Sequence, residues 1–342
     1  MNDALSIGCT VILAFLFAWI ATGFARRYAL RNAIMDIPNV RSSHATPTPR
    51  GGGLAIVLAF MSGLVFLVSD GQLQLGVAMV LAAGGGVIAV TGYLDDHKAL
   101  PASIRMCVHI SAAALAVIVV GGISQSTLQH VGLHGVWLGS LLGLITLAWF
   151  TNLFNFMDGI DGIAGSEAVF VAGAGALFNW RYGGDGGLTV AMLVLAAASL
   201  GFLVWNWPPA RIFMGDVGSG FLGFTLAVLG LAASRRSAVP LEVWAILSGV
   251  FFVDATVTLI RRMVRGDRWL EAHRLHAYQN LASRWRAHLP VTVLVIAINV
   301  LWLFPWAWVA AVHPAQAMLC VAAALTPLVI AALLVGAGRK RA

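Results

Sequence analysis

The chain has 342 residues, of which 60% are hydrophobic and only 10% charged, and its mean hydropathy is +0.88. So apolar a chain lacks the polar surface needed to coat a water-soluble fold, which excludes soluble one- and two-domain enzymes and leaves an integral membrane protein. The formal charge of +7, from 21 basic and 14 acidic residues, would suit nucleic acid, but where the basic residues lie assigns them another role.

Taken in chain order, apolar runs lie near residues 4–24, 53–69, 74–93, 106–121, 136–153, 163–180, 188–205, 218–233, 241–260, 289–309 and 315–337. Each approaches the roughly 20 residues that cross a hydrocarbon layer of about 30 Å, and alternating strand patterns are missing. The expected fold is therefore all-α, a polytopic membrane bundle of about eleven transmembrane helices. The first run has no basic leader and no small-residue cleavage site, so it is expected to be a retained span. An odd number of spans puts the termini on opposite sides. With the N-terminus periplasmic and the C-terminus cytoplasmic, 18 of the 21 basic residues fall inside and only Arg181, Arg235 and Arg236 outside. The positive-inside rule strongly prefers that orientation, and nucleic acid drops out as a partner. No internal repeat or linker interrupts the pattern, so one membrane domain covers residues 1–342. Cys9, Cys107 and Cys320 fall in apolar runs without paired spacing and are read as packing residues.

Nine of the 14 acids, Asp36, Asp95, Asp96, Asp158, Asp161, Asp216, Asp254, Asp267 and Glu271, converge on the inner face. In "GYLDDHKAL" the adjacent Asp95 and Asp96 repel, so they retain a proton or gather a cation, and hard divalent ions favour such oxygens. In "NLFNFMDGIDGIAG" the spacing predicts that Asp158 and Asp161 share one face of a helical turn, with Asn155 a turn earlier as a neutral oxygen suited to Mg²⁺. Gly159, Gly162 and Gly165 would let a ligand approach the backbone. "WPPARIFMGDVGSGFLG" places Asp216 at a helix start whose N–H groups are expected to face an anion, and Phe213 beside it offers a ring for a base to stack on. "SSHATPTPRGGG" contributes His44 and Arg50, and "RWLEAHRLHAYQ" contributes His273, Arg274 and His276, residues suited to phosphate contact; a zinc pair at 273 and 276 has no evident third ligand. Each motif alone also fits helix caps or solvated loops. Their combination points to a site.

Together, "LDD" at 94–96, "NFMDGIDGIAG" at 155–165, "FMGDVGS" at 213–219 and the histidine-containing inner loop resemble the polyprenyl-phosphate N-acetylhexosamine-1-phosphate transferases, a family that includes the bacterial phospho-N-acetylmuramoyl-pentapeptide transferase. The resemblance covers nearly the whole chain in motif order. It implies transfer of a sugar 1-phosphate from a UDP-N-acetylhexosamine to undecaprenyl phosphate at the cytoplasmic face of the bacterial inner membrane, with UMP released and Mg²⁺, or Mn²⁺ in its place, as cofactor. It implies Asn155 and Asp216 as metal ligands, and Asp95 and Asp96 as the residues that deprotonate or orient the lipid phosphate, Asp95 being the first choice for the base. Asp161, Gly159 and Phe213 would hold the uracil, Asp158 would support the site, and His273, Arg274 and His276, with His44 and Arg50 on the first inner loop, would face the diphosphate or the sugar. The peptidoglycan branch carries consecutive histidines where this chain has "HRLHAYQ". That departure favours the branch initiating O-antigen or related surface polysaccharides, with N-acetylglucosamine, N-acetylfucosamine or N-acetylquinovosamine as the sugar. Membrane lipids and a second copy of the chain complete the expected partners.

Two rivals are weaker. A CDP-alcohol phosphotransferase would need Ala-Arg where Gly165 and Ser166 stand after Asp161 and Gly162. A transporter would place its acids in mid-span, whereas only Glu167 and Asp254 are candidates for that here.

Overall fold

Thirteen helices and one small strand pair carry the chain in the computed structural model, which describes residues 2–38, 46–130, 132–236, 239–267 and 273–339. In order they are α1 (Asn2–Arg31), the strands β1 (Met35–Asp36) and β2 (Thr48–Pro49), α2 (Gly53–Ser69), α3 (Leu75–His97), α4 (Ala102–Val120), α5 (Val136–Met157), α6 (Ile163–Arg181), α7 (Gly186–Asn206), α8 (Asp216–Arg236), α9 (Leu241–Leu247), α10 (Gly249–Val264), α11 (Ala277–Trp285), α12 (Leu289–Val312) and α13 (Ala317–Val335). Two short pieces, Gln125–Gln129 and Pro314–Gln316, lie in connections.

Every apolar run of the sequence is helical. Among the described residues eight helices, α1, α3, α4, α5, α7, α8, α12 and α13, are long and apolar enough to cross a membrane. The run near 241–260 is broken: α9 and α10 meet at Ser248 with a bend of 79°, and counting them as one crossing gives nine. The 17-residue α2 and the Glu167-bearing α6 are not in that set. The chain is thus a multi-pass, nearly all-α membrane protein.

Helices α7 and α8 form the centre, with 83% and 89% of their apolar stretches buried against 22% for α1, α4 and α13. The peripheral helices turn their remaining apolar surface outward, as a bilayer solvent allows. Inside the bundle, Glu167 on α6 is wholly buried and one of its oxygens accepts the Asn299 amide of α12 at 2.6 Å, at the start of a π-helical stretch.

The strand pair fixes the first functional residue. Met35 faces Pro49 and Asp36 faces Thr48 in an antiparallel ribbon, after which the chain lies along residues 213–214. Phe213 N–H donates to Pro49 O (2.8 Å), Gly52 N–H to Phe213 O (2.9 Å) and Gly53 N–H to Met214 O (2.9 Å). Arg50 is thereby delivered to the N-terminus of α8.

Candidate functional site

Asp95 and Asp96 end α3, and Gly92, one turn earlier, lets that helix lie on the start of α8: a Cβ there would come within 2.3 Å of the Asp216 carbonyl. In that position Asp96 accepts the N–H groups of Asp216 (2.9 Å) and Val217 (3.3 Å). The anion expected at this helix N-terminus is therefore supplied by the protein itself, where it offsets the helix dipole. Arg50 Nη2 reaches Asp96 Oδ1 at 2.6 Å and Asp216 Oδ1 at 3.0 Å. On the other side Arg105, at the start of α4, holds Asp95 Oδ2 at 2.5 Å and stands 3.5 Å from Asp216 Oδ2. Leu100 N–H donates to Asp95 Oδ1 at 2.6 Å. The Asp216 carboxyl also donates a hydrogen bond to Asp95 and accepts one from the Asn155 amide.

The turn after α5 differs from its sequence reading. The helix stops at Met157, Asp158 caps it, and α6 begins only after Gly162 in the left-handed conformation, so Asp158 and Asp161 do not share a helical face. The glycines end the helix instead of continuing it, and the two carboxylates take different partners. Asp158 faces Asp216 and Asp96; enclosure, then those two charges, hold its carboxyl up at about 7. Asp161 turns away: its Oδ1 lies 3.0 Å from His288 Nδ1, its Oδ2 accepts Ala210 N–H at 3.0 Å, and its carbonyl accepts the Thr292 hydroxyl at 2.8 Å. Asn206 takes the Gly162 N–H at 2.9 Å and donates to Ile212 O at 2.9 Å, binding the turn to the segment that carries Phe213.

The histidine loop docks on this turn through Tyr278, whose hydroxyl donates to Phe156 O (2.9 Å) and occupies the space where a Gly159 side chain would stand. His276 is buried as the N-cap of α11, in a reciprocal capping box with Gln279. His273 stacks on it, ring centres 5.0 Å apart, and both rings lie against Phe156 at 6.4 and 6.3 Å. Burial, His276 and Arg262 push the His273 imidazole down to about 3, so it is neutral at neutral pH and offers a hydrogen bond, not a charge. Arg274 donates to Ser283 Oγ at 2.9 Å. His44 lies outside the described residues.

Asp95, Asp96, Asn155, Asp158, Asp216 and Arg50 thus converge, with Gly159 and His273 beside them. Among the described residues no three His, Cys, Asp or Glu side chains could hold a metal ion by themselves. The donor set still suits a divalent cation that completes its shell with substrate oxygens, as Mg²⁺ commonly does. Four carboxylates, Asp95, Asp96, Asp158 and Asp216, face two guanidinium groups, Arg50 and Arg105, which leaves two negative charges when all are ionised. One Mg²⁺ would neutralise that remainder, and Asp216 and the Asn155 amide oxygen are the residues that would hold it.

From this cluster an apolar cavity of about 330 Å³ runs between α3, α4, α5 and α10, with Arg105, Asn155 and Asp216 at its head and Ile110, Leu144 and Leu259 in its wall. In the sequence Arg105 is one of the 18 basic residues on the inner face and belongs to no motif. The short "HKALPAS" connection after the paired aspartates was the available signal, since it returns the next helix start to the end of α3. Nothing local to the sequence marked His288 as the partner of Asp161.

Carboxylates held by arginines thus stand at the head of an apolar cavity in a multi-pass bundle. Residues 77–234 match the model of glycosyl transferase family 4. The chain is 31% identical over 325 residues to the decaprenyl-phosphate N-acetylglucosaminephosphotransferase of Mycobacterium tuberculosis H37Rv, covering 83% of this chain and 78% of that one. It is 29% identical over 292 residues to the probable undecaprenyl-phosphate N-acetylglucosaminyl 1-phosphate transferase of Bacillus subtilis 168 (83% and 79% covered). To the undecaprenyl-phosphate alpha-N-acetylglucosaminyl 1-phosphate transferase of Escherichia coli K12 it is 26% identical over 290 residues (81% and 76%). The chain belongs to this family of polyprenyl-phosphate N-acetylhexosamine 1-phosphate transferases.

Proposed function

We propose that the protein transfers an N-acetylhexosamine 1-phosphate from a UDP-sugar to undecaprenyl phosphate, releasing UMP at the cytoplasmic face of the inner membrane. The observation that carries this reading is the cavity: an apolar channel for a polyprenyl chain ends at Arg105, Asn155 and Asp216, where the lipid phosphate would sit. An oxygen of the lipid phosphate attacks the β-phosphorus of the UDP-sugar, and the bond from that phosphorus to the bridging α–β oxygen breaks, so the electron pair leaves with UMP. The acceptor phosphate is already anionic at neutral pH, so the protein's task is to screen, align and stabilise.

Arg105 lies where it would meet the acceptor phosphate, and Arg50 stands on the far side of Asp216, facing the incoming donor. Mg²⁺, held by Asp216 and Asn155, would supply charge neutralisation on the diphosphate as UMP leaves. Asp95, close to both Arg105 and Asp216, is placed to take a proton from a singly protonated acceptor. Asp96, bound to the α8 N-terminus, keeps Asp216 in place. Neutral His273 is suited to donate a hydrogen bond to the donor diphosphate.

The three relatives described are named for N-acetylglucosamine, which makes UDP-N-acetylglucosamine the first donor to try. The "HRLHAYQ" loop supports a place as the first membrane step of O-antigen or related surface polysaccharide synthesis. The test incubates purified protein, Mg²⁺ and undecaprenyl phosphate with UDP-activated N-acetylglucosamine, N-acetylfucosamine, N-acetylquinovosamine and muramoyl-pentapeptide. UMP release with a lipid-linked product from one of the first three supports the reading. Efficient use of the muramoyl-pentapeptide donor overturns the branch, and no product from any donor in folded protein overturns the function.

A further inference from the structure

Asp254 is a buried carboxylate that the proposed chemistry does not use. It lies in α10, the second arm of the broken span, with its side chain 7% exposed and surrounded by apolar text. An ionisable group in such a place is costly unless fully satisfied, and so asks for a reason.

Both of its oxygens are engaged with the histidine loop. Oδ1 accepts Ala277 N–H at 2.8 Å and the Thr258 hydroxyl at 3.2 Å, and stands 3.4 Å from His276 Nδ1. Oδ2 accepts Tyr278 N–H at 2.9 Å. The capping box of His276 and Gln279 satisfies the N–H groups of those two residues, and Asp254 satisfies the buried N–H groups of Ala277 and Tyr278 that the box leaves open, but it does so from a different helix. The added bonds do something the capping box cannot: they fix the start of α11 relative to α10. Two contacts lead from there to the site. The Tyr278 hydroxyl binds Phe156 O beside Asn155, and the His276 ring supports the His273 ring. On the same helix, five residues on, Leu259 lines the apolar cavity.

We infer that Asp254 is a positioning residue: it holds the α11 N-terminus so that His273 stands over the donor site, and it acts on turnover through His273 without touching substrate. The inference rests on the function proposed above. It connects the helix that walls the lipid cavity to the loop that faces the nucleotide sugar.

The test is a double-mutant cycle on the full-length protein in nanodiscs. Asp254→Asn replaces one acceptor oxygen with an amide group that opposes a backbone N–H. It is expected to lower kcat by at least 10-fold while the KM for polyprenyl phosphate changes by less than 3-fold. In the His273→Ala background the same substitution should cost less than 3-fold. Effects that multiply in the double variant, or an unchanged kcat in folded Asp254→Asn, overturn the inference. Thr258→Val, a near-isosteric change that removes one donor to Asp254, gives the same cycle at smaller amplitude and serves where Asp254→Asn does not fold. A second readout is independent of turnover: carbethoxylation of His273 by diethyl pyrocarbonate, followed by mass spectrometry. Loss of the Asp254 contacts should speed it several-fold. If the wild-type protein turns over no donor but His273 labelling still responds to Asp254→Asn or Thr258→Val, the functional reading fails and the positioning role stands; equal labelling in wild type and variants overturns the role.

Discussion

Gly159 tests whether the motif turn and the histidine loop are one mechanical unit. A methyl group added there would lie 2.1 Å from the Tyr278 hydroxyl and 3.1 Å from both Tyr278 Cζ and Gln279 Nε2. Tyr278 is only 3% exposed, so its ring cannot swing aside, and its hydrogen bond to Phe156 O would break. Overpacking of this kind costs about 1–3 kcal/mol, and a buried hydroxyl left without its partner about 1–3 more, so Gly159→Ala should destabilise by about 2–6 kcal/mol. The displaced segment carries His273 and His276, so kcat should fall with stability. The assay pairs the Tm of the detergent-solubilised protein with the rate of UMP release. Tyr278→Phe in the same chain removes the clashing oxygen and leaves a tight but tolerable approach to Cζ, so the double variant should recover most of the lost Tm. An unchanged Tm and kcat in Gly159→Ala, or no recovery in the double variant, would refute the docking described here.

Other expectations follow from the same geometry. Asp216→Asn removes a proposed metal ligand and the shared partner of Arg50 and Arg105; turnover should fall by at least about 100-fold with folding retained, and near-normal Mg²⁺-dependent activity would remove the assignment. Arg105→Gln leaves Asp95 without its cation and the cavity head without charge, so the KM for polyprenyl phosphate should rise about 10-fold, a loss of about 1.4 kcal/mol, with a smaller change for the UDP-sugar; equal shifts for both substrates would count against its placement. His273 is held near 3 by burial, His276 and Arg262, against 6.5 for a free imidazole. Between those values the unfolded chain binds the extra proton, so this group's contribution to stability falls as pH drops from 6.5 toward 3. His273→Gln should therefore lose less stability than wild type between pH 7 and pH 5, measured by Tm; identical acid slopes would contradict the neutral assignment.

What the sequence disclosed and what it hid divide along physical lines. The apolar runs found their helices because the bilayer demands length and hydropathy, both local properties. The paired aspartates, the glycine-rich turn and Asp216 were legible because carboxylates in apolar text are expensive and therefore conspicuous. Local periodicity misled at 158–162, where Gly159 and Gly162 interrupt the helix and send Asp158 and Asp161 to different partners. It also could not show the bend at Ser248, nor that Asp96 would satisfy the α8 N-terminus in place of a ligand. Arg105 and Asp254 are long-range cases: each is an ordinary charge until the fold sets it beside Asp216 or beneath Ala277 and Tyr278.

The central claim is that a phosphate, together with its sugar, moves to the lipid. UDP-N-acetylglucosamine labelled with ³²P in its β-phosphate, and the matching labelled N-acetylfucosamine and N-acetylquinovosamine donors, distinguish this from simple glycosyl transfer. The account predicts that, for the accepted sugar, label passes into the organic-extractable undecaprenyl product in step with unlabelled UMP. Label that stays in water-soluble UDP while the sugar reaches the lipid, or that never leaves the donor in folded protein supplied with Mg²⁺, would contradict it.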